Sequence, residues 1–257
     1  MLLAIDCGNT HVTVGCVDAA HGVHSVFRIP TDRRETEFGY AARFQQILHM
    51  QGVSKESLAG VAISCVVPAL SDVLVRTAKL LTGRDALVVG AGIKTGLSIA
   101  VNDPGTVAAD LVVAAVATKA DYPLPAIIVD LGTATTVAAL DKNGKFIGCA
   151  ILPGAELALS ALSKETALLP SVDLRAPRSP IGTATADCMR SGIVYGSAGA
   201  IDGLLDRFEE AMGMPPASTV ATGGLASAIA PHCKHSLQID DTLLLRGLRT
   251  VWEKNQK

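Results

Sequence analysis

The sequence predicts an α/β protein that consists of two similar halves, residues 1–118 and 119–257. Hydrophobic residues make up 49% of the 257-residue chain but aromatic residues only 4%, so small aliphatic side chains must fill a closely layered core. Strand-like and helix-like patterns of apolar residues alternate along the chain. The strand and turn that open the sequence also occur a second time, 124 residues later, which indicates a duplicated unit.

The first half opens with an apolar strand over residues 2–6 that ends at Asp6. A tight turn, Gly8-Asn9-Thr10, follows, and a strand over 12–16 then alternates apolar and polar residues. Periodicity and chain-breaking residues predict the remaining elements of this half: helices over 38–50, 70–81 and 108–120, and buried strands over 60–67 and 86–89.

The second half repeats the opening pattern, with an apolar strand from residue 126 that ends at Asp130 and a turn at Gly132. The strands that follow the two turns end at Asp18 and Asp141, which are one residue out of phase. The later elements are predicted as strands over 146–152 and 220–222, helices over 155–162, 185–212 and 242–254, and a loop over 169–180.

Charge and hydropathy exclude several classes of function. The net charge is −2 and no basic run exceeds a dipeptide such as Arg33-Arg34, so nucleic acid is not an expected partner. The apolar runs are interrupted by Gly, Pro or Asp, so no membrane span is expected. An acidic residue at position 6 argues against a signal peptide, and the cytoplasm is the expected location. Six cysteines without paired spacing predict buried, reduced thiols.

The repeated Asp-x-Gly turn has the chemistry of a phosphate site. Glycine allows the backbone to approach a bound group closely, and backbone N–H groups and Thr or Asn side chains can donate to phosphate oxygens. A carboxylate at the end of a strand can hold a divalent ion that neutralises phosphate charge. One such turn is also typical of an ordinary hairpin. Two in register, together with Thr222-Gly223-Gly224, favour a nucleotide-phosphate site.

Other phosphate and nucleophile motifs are absent from the sequence. The segment 90–95 has Ile93 where a P-loop needs glycine before its lysine. No Gly-x-Gly-x-x-Gly follows the first strand, which argues against a dinucleotide-binding fold. No Gly-x-Ser-x-Gly is present, which argues against an α/β-hydrolase.

The glycine-rich turns carry a resemblance to a known superfamily. Asp6-x-Gly8-Asn9-Thr10, Asp130-x-Gly132-Thr133-Ala134-Thr135-Thr136 and Thr222-Gly223-Gly224 resemble elements of the acetate/sugar kinase, heat-shock chaperone and actin superfamily. Within it the chain resembles the type III pantothenate kinases, on stretches that include Ser64-Cys65-Val66-Val67-Pro68, Ile151-Leu152-Pro153-Gly154 and Gly247-Leu248-Arg249. The resemblance implies two duplicated ribonuclease H-like (actin-like ATPase) domains that face a central cleft.

The resemblance also implies a reaction. The family transfers the γ-phosphate of ATP to the primary hydroxyl of pantothenate, which gives 4'-phosphopantothenate in the first step of coenzyme A biosynthesis. It uses Mg²⁺ with ATP and a monovalent cation, K⁺ or NH₄⁺. Its members are homodimers with the acceptor pocket near the interface, and the Ala-rich helix over 108–120 independently suggests apolar surface that a dimer would cover.

Site residues follow from the resemblance position by position. Asp6 lies near the divalent ion, Asp130 binds the monovalent cation, and Asp110 is the general base. The implied ATP contacts are Asp6, Cys7, Gly8, Asn9, Thr10, His11, Val12, Thr13 and Thr133. The implied acceptor site consists of Val101, Ala108, Ala109, Asp110, Leu111 and Thr185. An acidic residue in the apolar stretch around position 110 could instead serve as a helix cap or pair with an unseen cation.

The acceptor site departs from the family pattern. The family motif Gly-Ala-Asp-Arg is here Ala108-Ala109-Asp110-Leu111, Thr106 stands where the family has Glu, and Val101 where it has Tyr. The missing Arg would make a charge-assisted contact of about 1.5–3 kcal/mol. Three interpretations stay open: a pantothenate kinase whose cation comes from elsewhere in the chain, a phosphotransferase for another hydroxyl acceptor, and a nucleotide-binding relative with a non-catalytic, regulatory role.

Overall fold

A computed structural model describes residues 1–256, which form two compact units. The first unit comprises Met1–Leu97, Asp103–Ala120 and the C-terminal segment from Thr242; the second comprises Ser98–Asn102 and Asp121–Asp241. The chain passes between them at 97–98, 102–103, 120–121 and 241–242, whereas the sequence analysis expected one boundary at 118–119. The C-terminal helix, however, was expected in the second half and folds with the first unit.

The first unit contains a five-stranded sheet in the order β3-β2-β1-β4-β5. Strands β1 (Leu2–Cys7), β2 (His11–Val17) and β3 (Val23–Pro30) form an antiparallel meander, and β4 (Gly60–Cys65) and β5 (Ala86–Val88) run parallel to β1. The helices of this unit are α1 (Glu37–Met50), α2 (Pro68–Thr82), α3 (Ala109–Asp121) and, from the C-terminus, α7 (Leu243–Lys254).

The core of the first unit lies between the sheet and the helices α1 and α2. Tyr40 and Phe44 of α1 and Leu74 of α2 are fully buried against strand residues such as Ile5 and Ile63. The C-terminal helix α7 packs against the strands β1, β2 and β4. This helix is strongly amphipathic, and the first sheet covers its apolar side.

The second unit contains a six-stranded sheet in the order β11-β10-β7-β8-β9-β6. Strands β7 (Ala126–Leu131), β8 (Ala134–Leu140) and β9 (Lys145–Pro153) form the meander, and β10 (Ser218–Thr222) and β11 (Gln238–Ile239) run parallel to β7. A short strand, β6 (Ser98–Ile99), pairs with β9 at the edge. The helices are α4 (Ala155–Glu165), α5 (Thr185–Met212) and α6 (Ala226–Ile229), and no helix or strand forms over 166–184.

The two units repeat one topology, which confirms the predicted duplicated α/β fold. Without the edge strand β6, the second sheet has the strand order of the first. The pattern of buried and exposed residues along β1 is the same as along β7, and that along β2 is the same as along β8. The first turn has three residues and the second has two, which accounts for the phase difference of one residue between Asp18 and Asp141.

Asp18 and Asp141 form the second hairpin turn of each meander. Asp18 Oδ1 accepts hydrogen bonds from the backbone N–H groups of Ala20 (2.8 Å) and Gly22 (2.9 Å). Asp141 Oδ1 accepts from those of Asn143 (2.8 Å) and Lys145 (2.9 Å). A hydrogen bond from His24 and these N–H groups lower the pKa of Asp18, and the Lys145 N–H is the main cause of the lowered pKa of Asp141. These carboxylates therefore stabilise turns.

None of the helices within residues 1–256 combines the length and the apolar character that crossing a membrane requires.

Candidate active site

The first Asp-x-Gly turn is held in place by hydrogen bonds from both of its sides. The Gly8 N–H donates to the His11 carbonyl at 3.0 Å, which closes the turn between β1 and β2. From the end of β3, the Thr31 N–H donates to the Thr10 carbonyl (2.9 Å) and the Thr31 hydroxyl donates to the Gly8 carbonyl (2.8 Å). Arg33 Nη2 donates to Asn9 Oδ1 at 3.0 Å. Because Asn9 and Thr10 are exposed, the turn presents a fixed backbone to solvent.

Residues 6–13, the implied ATP-phosphate segment, divide into two sets by the alternation of the strands. The side chains of Cys7 and Val12 are fully buried in the hydrophobic core, so only their backbone can contact a nucleotide. The His11 side chain is exposed. Asp6 and Thr13 are partly exposed and directly paired across β1 and β2.

Asp6 lies between two hydroxyl-bearing residues. Thr13 is its partner on β2 and Ser64 its partner on β4, and residues paired in this way project to the same side of the sheet. Ser64 is fully buried, and its Oγ has no hydrogen-bond partner within residues 1–256. A buried hydroxyl without a partner costs stability, so a bound group that uses it would recover that cost. A carboxylate and two hydroxyl oxygens are hard ligands of the type a divalent cation takes.

The second turn is closed in a similar way but more tightly. The Gly132 N–H donates to the Ala134 carbonyl at 3.1 Å, and the Gly154 N–H, just after β9, donates to the Thr133 carbonyl at 3.1 Å. A side chain at Gly154 would collide with the carbonyl oxygens of both Gly132 and Thr133. Thr133 is exposed at the tip of this turn, where an ATP contact was expected.

Asp130 occupies in the second unit the position that Asp6 has in the first. Its paired neighbours are Thr136 on β8 and Thr222 on β10. Thr136 Oγ1 is shielded from solvent and, in the described part of the chain, has no hydrogen-bond partner. Gly223 follows at φ +92°, and a Cβ there would collide with Asp130 Oδ1. Because residue 223 has no side chain, the Asp130 carboxylate can occupy the space beside it.

Asp110 lies in the first turn of α3, at the start of a helix that is otherwise buried on most sides. Its Oδ1 accepts a hydrogen bond from the Leu111 N–H at 2.7 Å, so part of the helix-cap interpretation is correct. Burial raises the pKa of Asp110, and the bond from the Leu111 N–H offsets only part of that effect. Among the described residues Asp110 forms no ion pair. A half-buried carboxylate without a paired cation suits a proton acceptor.

The other residues implied for the acceptor are distributed over both units. Ala108, Ala109 and Leu111 lie beside Asp110 in the first unit, and Leu111 is only 9% exposed. Val101 is partly buried in the short second-unit segment Ser98–Asn102, and Thr185 is exposed at the first position of α5.

Sequence reasoning missed the role of two hydroxyl residues. The sequence analysis included Ser64 and Thr136 in motif stretches but did not predict that they lie beside the two aspartates, because this depends on strand register. The signal that could have identified them is a Ser or Thr at the strand position that pairs with each Asp. Within residues 1–256 no group of three or more His, Cys, Asp or Glu side chains could hold a metal ion.

The duplicated sheets and their Asp-x-Gly turns give the chain the fold of the actin-like ATPases, with two ribonuclease H-like units. The fold is shared with the activator of the 2-hydroxyisocaproyl-CoA dehydratase from Clostridium difficile with bound ADPNP (TM-score 0.58, 14% identity, 98% of this chain and 95% of that chain).

Within this class, the chain belongs to the type III pantothenate kinase family. The model of that family matches residues 2–207. The type III pantothenate kinase of Moorella thermoacetica is 41% identical over 255 residues, which cover 99% of this chain and 100% of the relative. That of an Exiguobacterium species is 39% identical over 257 residues and covers 100% of both chains. The resemblance found in the sequence is thereby confirmed.

Proposed function

We propose that this protein transfers the γ-phosphate of ATP to the primary hydroxyl of pantothenate and so forms 4'-phosphopantothenate, the first step of coenzyme A biosynthesis. The observation that carries the proposal is the full-length similarity to type III pantothenate kinases at 41% identity. The two Asp-x-Gly turns and the uncompensated carboxylate of Asp110 supply the chemistry that the reaction needs.

The phosphate groups of ATP fit the first turn. The backbone N–H of Asn9, in the exposed turn from Gly8 to Thr10, can donate to phosphate oxygens, and the hydrogen bonds of the turn to Thr31 and Arg33 keep it in place before the nucleotide binds. A kinase of this family takes ATP with a divalent metal. We assign Mg²⁺ to Asp6, with Thr13 and Ser64 as supporting oxygens. When bound, the ion neutralises phosphate charge.

A monovalent cation, K⁺ or NH₄⁺, fits the second unit. Asp130 and the shielded Thr136 hydroxyl provide oxygen ligands on one side of the sheet, and Thr133 lies exposed in the adjoining turn to contact ATP. The assignment of a monovalent ion to Asp130 follows the family resemblance, because the oxygen ligands around Asp130 are of the same kind as those around Asp6.

Asp110 is the proposed general base. In its ionised form it accepts the proton of the pantothenate hydroxyl while that oxygen attacks the γ-phosphate. Burial makes the carboxylate a stronger base, because its pKa is raised above the ordinary range. The acceptor contacts that the family resemblance implies are Ala108, Ala109 and Leu111 beside Asp110, together with Val101 and Thr185.

Leu111 and Val101 differ from the Arg and Tyr that the family has at these positions, and this difference gives two alternative functions. One is a phosphotransferase for another hydroxyl acceptor, and the other is a nucleotide-binding relative with a regulatory role. The deciding experiment follows ATP-dependent phosphorylation of pantothenate by the purified chain. Turnover supports the proposal. ATP binding without turnover contradicts it, and a screen of other hydroxyl compounds then separates the two alternatives.

The variant Leu111→Arg restores the cation that the family has at this position. If the pocket takes pantothenate, we expect kcat/KM for pantothenate to rise about 10-fold, as one charge-assisted hydrogen bond contributes about 1.5 kcal/mol. Leu111 is 9% exposed, so the guanidinium must reach the acceptor site along its aliphatic stem. A folded variant with no gain contradicts the pantothenate assignment. A large fall in melting temperature indicates a pocket built for a less polar acceptor.

We further propose that the chain acts as a cytoplasmic homodimer without nucleic-acid or membrane partners. Support comes from large apolar side chains exposed on the second unit: Leu168 is 90%, Ile181 81% and Ile151 67% exposed. Light scattering at micromolar concentration tests the dimer, and a monomer mass would contradict it.

A further inference from the structure

Two cysteines meet beside the first Asp-x-Gly turn. Cys7 is the last residue of β1 and Cys65 the last residue of β4, and the two are directly paired in the parallel register of these strands. Paired residues on neighbouring strands lie about 4.8 Å apart. A disulfide spans Cα separations of about 4.4–6.8 Å, so the two cysteines are within reach of one another.

The environments of the two thiols differ. Cys7 is fully buried, whereas Cys65 is partly exposed at the edge of the same core cluster. A small oxidant therefore reaches the Cys65 thiol first, and the buried Cys7 thiol reacts second. Attacking and resolving thiols need this division.

The pair adjoins the turn to which we assign the ATP phosphates. Cys7 immediately precedes Gly8, and the Cys7 carbonyl accepts the Val66 N–H at 3.0 Å, which connects the ends of β1 and β4. The Cys65 thiol also donates to the Val67 carbonyl at 3.2 Å. A bond between the two sulfurs would break this last contact and require both side chains to turn toward each other, directly before the turn.

We propose that Cys7 and Cys65 form a dithiol modification site, which a small-molecule disulfide oxidises to an intrachain disulfide, and that this disulfide disturbs the adjacent phosphate turn. The Cys65 thiolate attacks one sulfur of the small disulfide, and the other half leaves as a thiolate and takes up a proton. Cys7 then loses its proton and attacks the Cys65 sulfur, which expels the second small thiol. Two protein thiols and one small disulfide become one protein disulfide and two small thiols.

The experiment uses the full chain with oxidised glutathione as the probe. Non-reducing tryptic digestion should give the peptide of residues 1–28 joined to that of 56–76, with fragmentation that places the link at Cys7 and not at Cys16. The link should be absent in Cys65→Ser, with Cys65→Ala as the second variant should Cys65→Ser not fold. It should persist when the exposed Cys149 and Cys188 are replaced by serine. Mixed disulfides on these two cysteines alone would overturn the modification site.

The effect on ATP rests on the proposed function and is measured separately. Titration with a fluorescent ATP analogue should show about 10-fold weaker binding after oxidation and full recovery with dithiothreitol, because a displacement of about 1 Å in a positioning segment can cost up to about 100-fold. Cys65→Ser should bind the analogue as the reduced protein does, with or without the probe. A disulfide that forms without weakening nucleotide binding would overturn the coupling to the turn. Because neither measurement uses pantothenate, a wrong acceptor assignment leaves both intact.

Discussion

The two meanders share a hydrogen-bonded frame but differ by one residue in the turn that follows the aspartate. In the first unit the longer turn leaves room for Thr31, whose hydroxyl bonds the Gly8 carbonyl at 2.8 Å. In the second unit the shorter turn lies so close to the residue after β9 that only a glycine, Gly154, fits there. One residue of turn length therefore decides whether the neighbouring position carries a side chain.

The difference extends to the residues after the two aspartates. In the first unit Cys7 follows Asp6 and pairs with Cys65 on β4, so two thiols lie side by side. In the second unit Leu131 follows Asp130, and Gly223 follows the β10 partner of Asp130; neither residue has redox chemistry. Within residues 1–256, both aspartates nevertheless have a neighbouring hydroxyl without a hydrogen-bond partner, Ser64 Oγ and Thr136 Oγ1. The two units thus share a carboxylate beside a hydroxyl and differ in the residues that follow, as we expect if the proposed sites take different cations.

The largest difference between the halves should lie in the chemical step, because only the first unit supplies a proposed base. We expect Asp110→Asn to lower kcat by about 10²–10⁴-fold, since the amide cannot accept the hydroxyl proton, and to leave ATP affinity nearly unchanged. Single-turnover phosphorylation and nucleotide titration measure the two effects. The matched control is Asp103→Asn, which retains the side-chain oxygen that accepts from the Gly105 N–H. Normal turnover in Asp110→Asn would remove this residue from the mechanism.

Removal of the Ser64 hydroxyl and removal of the Thr136 hydroxyl should each affect the requirement for a different cation. Ser64→Ala should raise the Mg²⁺ concentration needed for half-maximal activity, and Thr136→Val that of K⁺, each by up to about 10–150-fold for the loss of one bond to a charged group. Without the ions, neither variant should have a lower melting temperature, since neither hydroxyl has a hydrogen-bond partner in the described part of the chain.

Ion-induced shifts of the melting temperature provide a readout besides activity. We expect the Mg²⁺-ATP shift to shrink in Ser64→Ala and the K⁺ shift in Thr136→Val, with little cross effect. Equal activity of the parent protein in sodium and potassium buffers would contradict the assignment of Asp130 and Thr136.

Gly223 should matter more than another glycine with the same backbone conformation. Gly223 (φ +92°) and Gly213 (φ +69°) both adopt the left-handed region, but only at Gly223 would a Cβ collide with Asp130 and Leu131. Alanine should cost about 1–2 kcal/mol at either site for the backbone, and about 1–3 kcal/mol more at Gly223 for the collision. Urea denaturation measures the difference. Equal losses would show that Asp130 has room to move aside.

Local pattern was sufficient to predict most of the frame. Apolar runs that end at Asp6 and Asp130 predicted β1 and β7, and the bounds of α5 agree with the predicted helix over 185–212. Strand β3 was missed because only one of its faces is buried, and polar or charged residues such as His24 and Arg28 interrupt its apolar pattern. The placement of α7 was missed because amphipathicity shows that a helix needs a sheet but does not show which one.

The site was predictable only where a motif is contiguous. The two turns and Asp110 could be located from sequence, whereas Ser64 and Thr136 acquire their meaning from strand register. The same holds for the cysteines: all six were expected to be buried, but Cys149 and Cys188 are exposed. Cys7 and Cys65 lie far apart in the chain and meet because β1 and β4 pair in parallel. No local pattern encodes that pairing.

The smallest expected effect is on stability: ionisation of Asp110 should destabilise the fold, whereas ionisation of Asp141 should stabilise it. Burial raises the pKa of Asp110 above the ordinary value of 3.8, so its ionisation opposes folding. This cost is absent below pH 3.8, grows as the pH rises through the folded pKa, and is complete at neutral pH. Asp110→Asn should therefore raise the melting temperature at pH 7 by a few degrees at most, and the gain should shrink on acidification.

Backbone N–H groups lower the pKa of Asp141, so the stabilisation by this carboxylate is present above pH 3.8 and is lost only as the pH falls through the lower folded pKa. Asp141→Asn should accordingly lower the melting temperature at pH 7, with little change down to about pH 4. Melting curves of both variants across this range test the contrast, and a fall in both would mean that the Asp110 carboxylate stabilises α3 more than its burial costs.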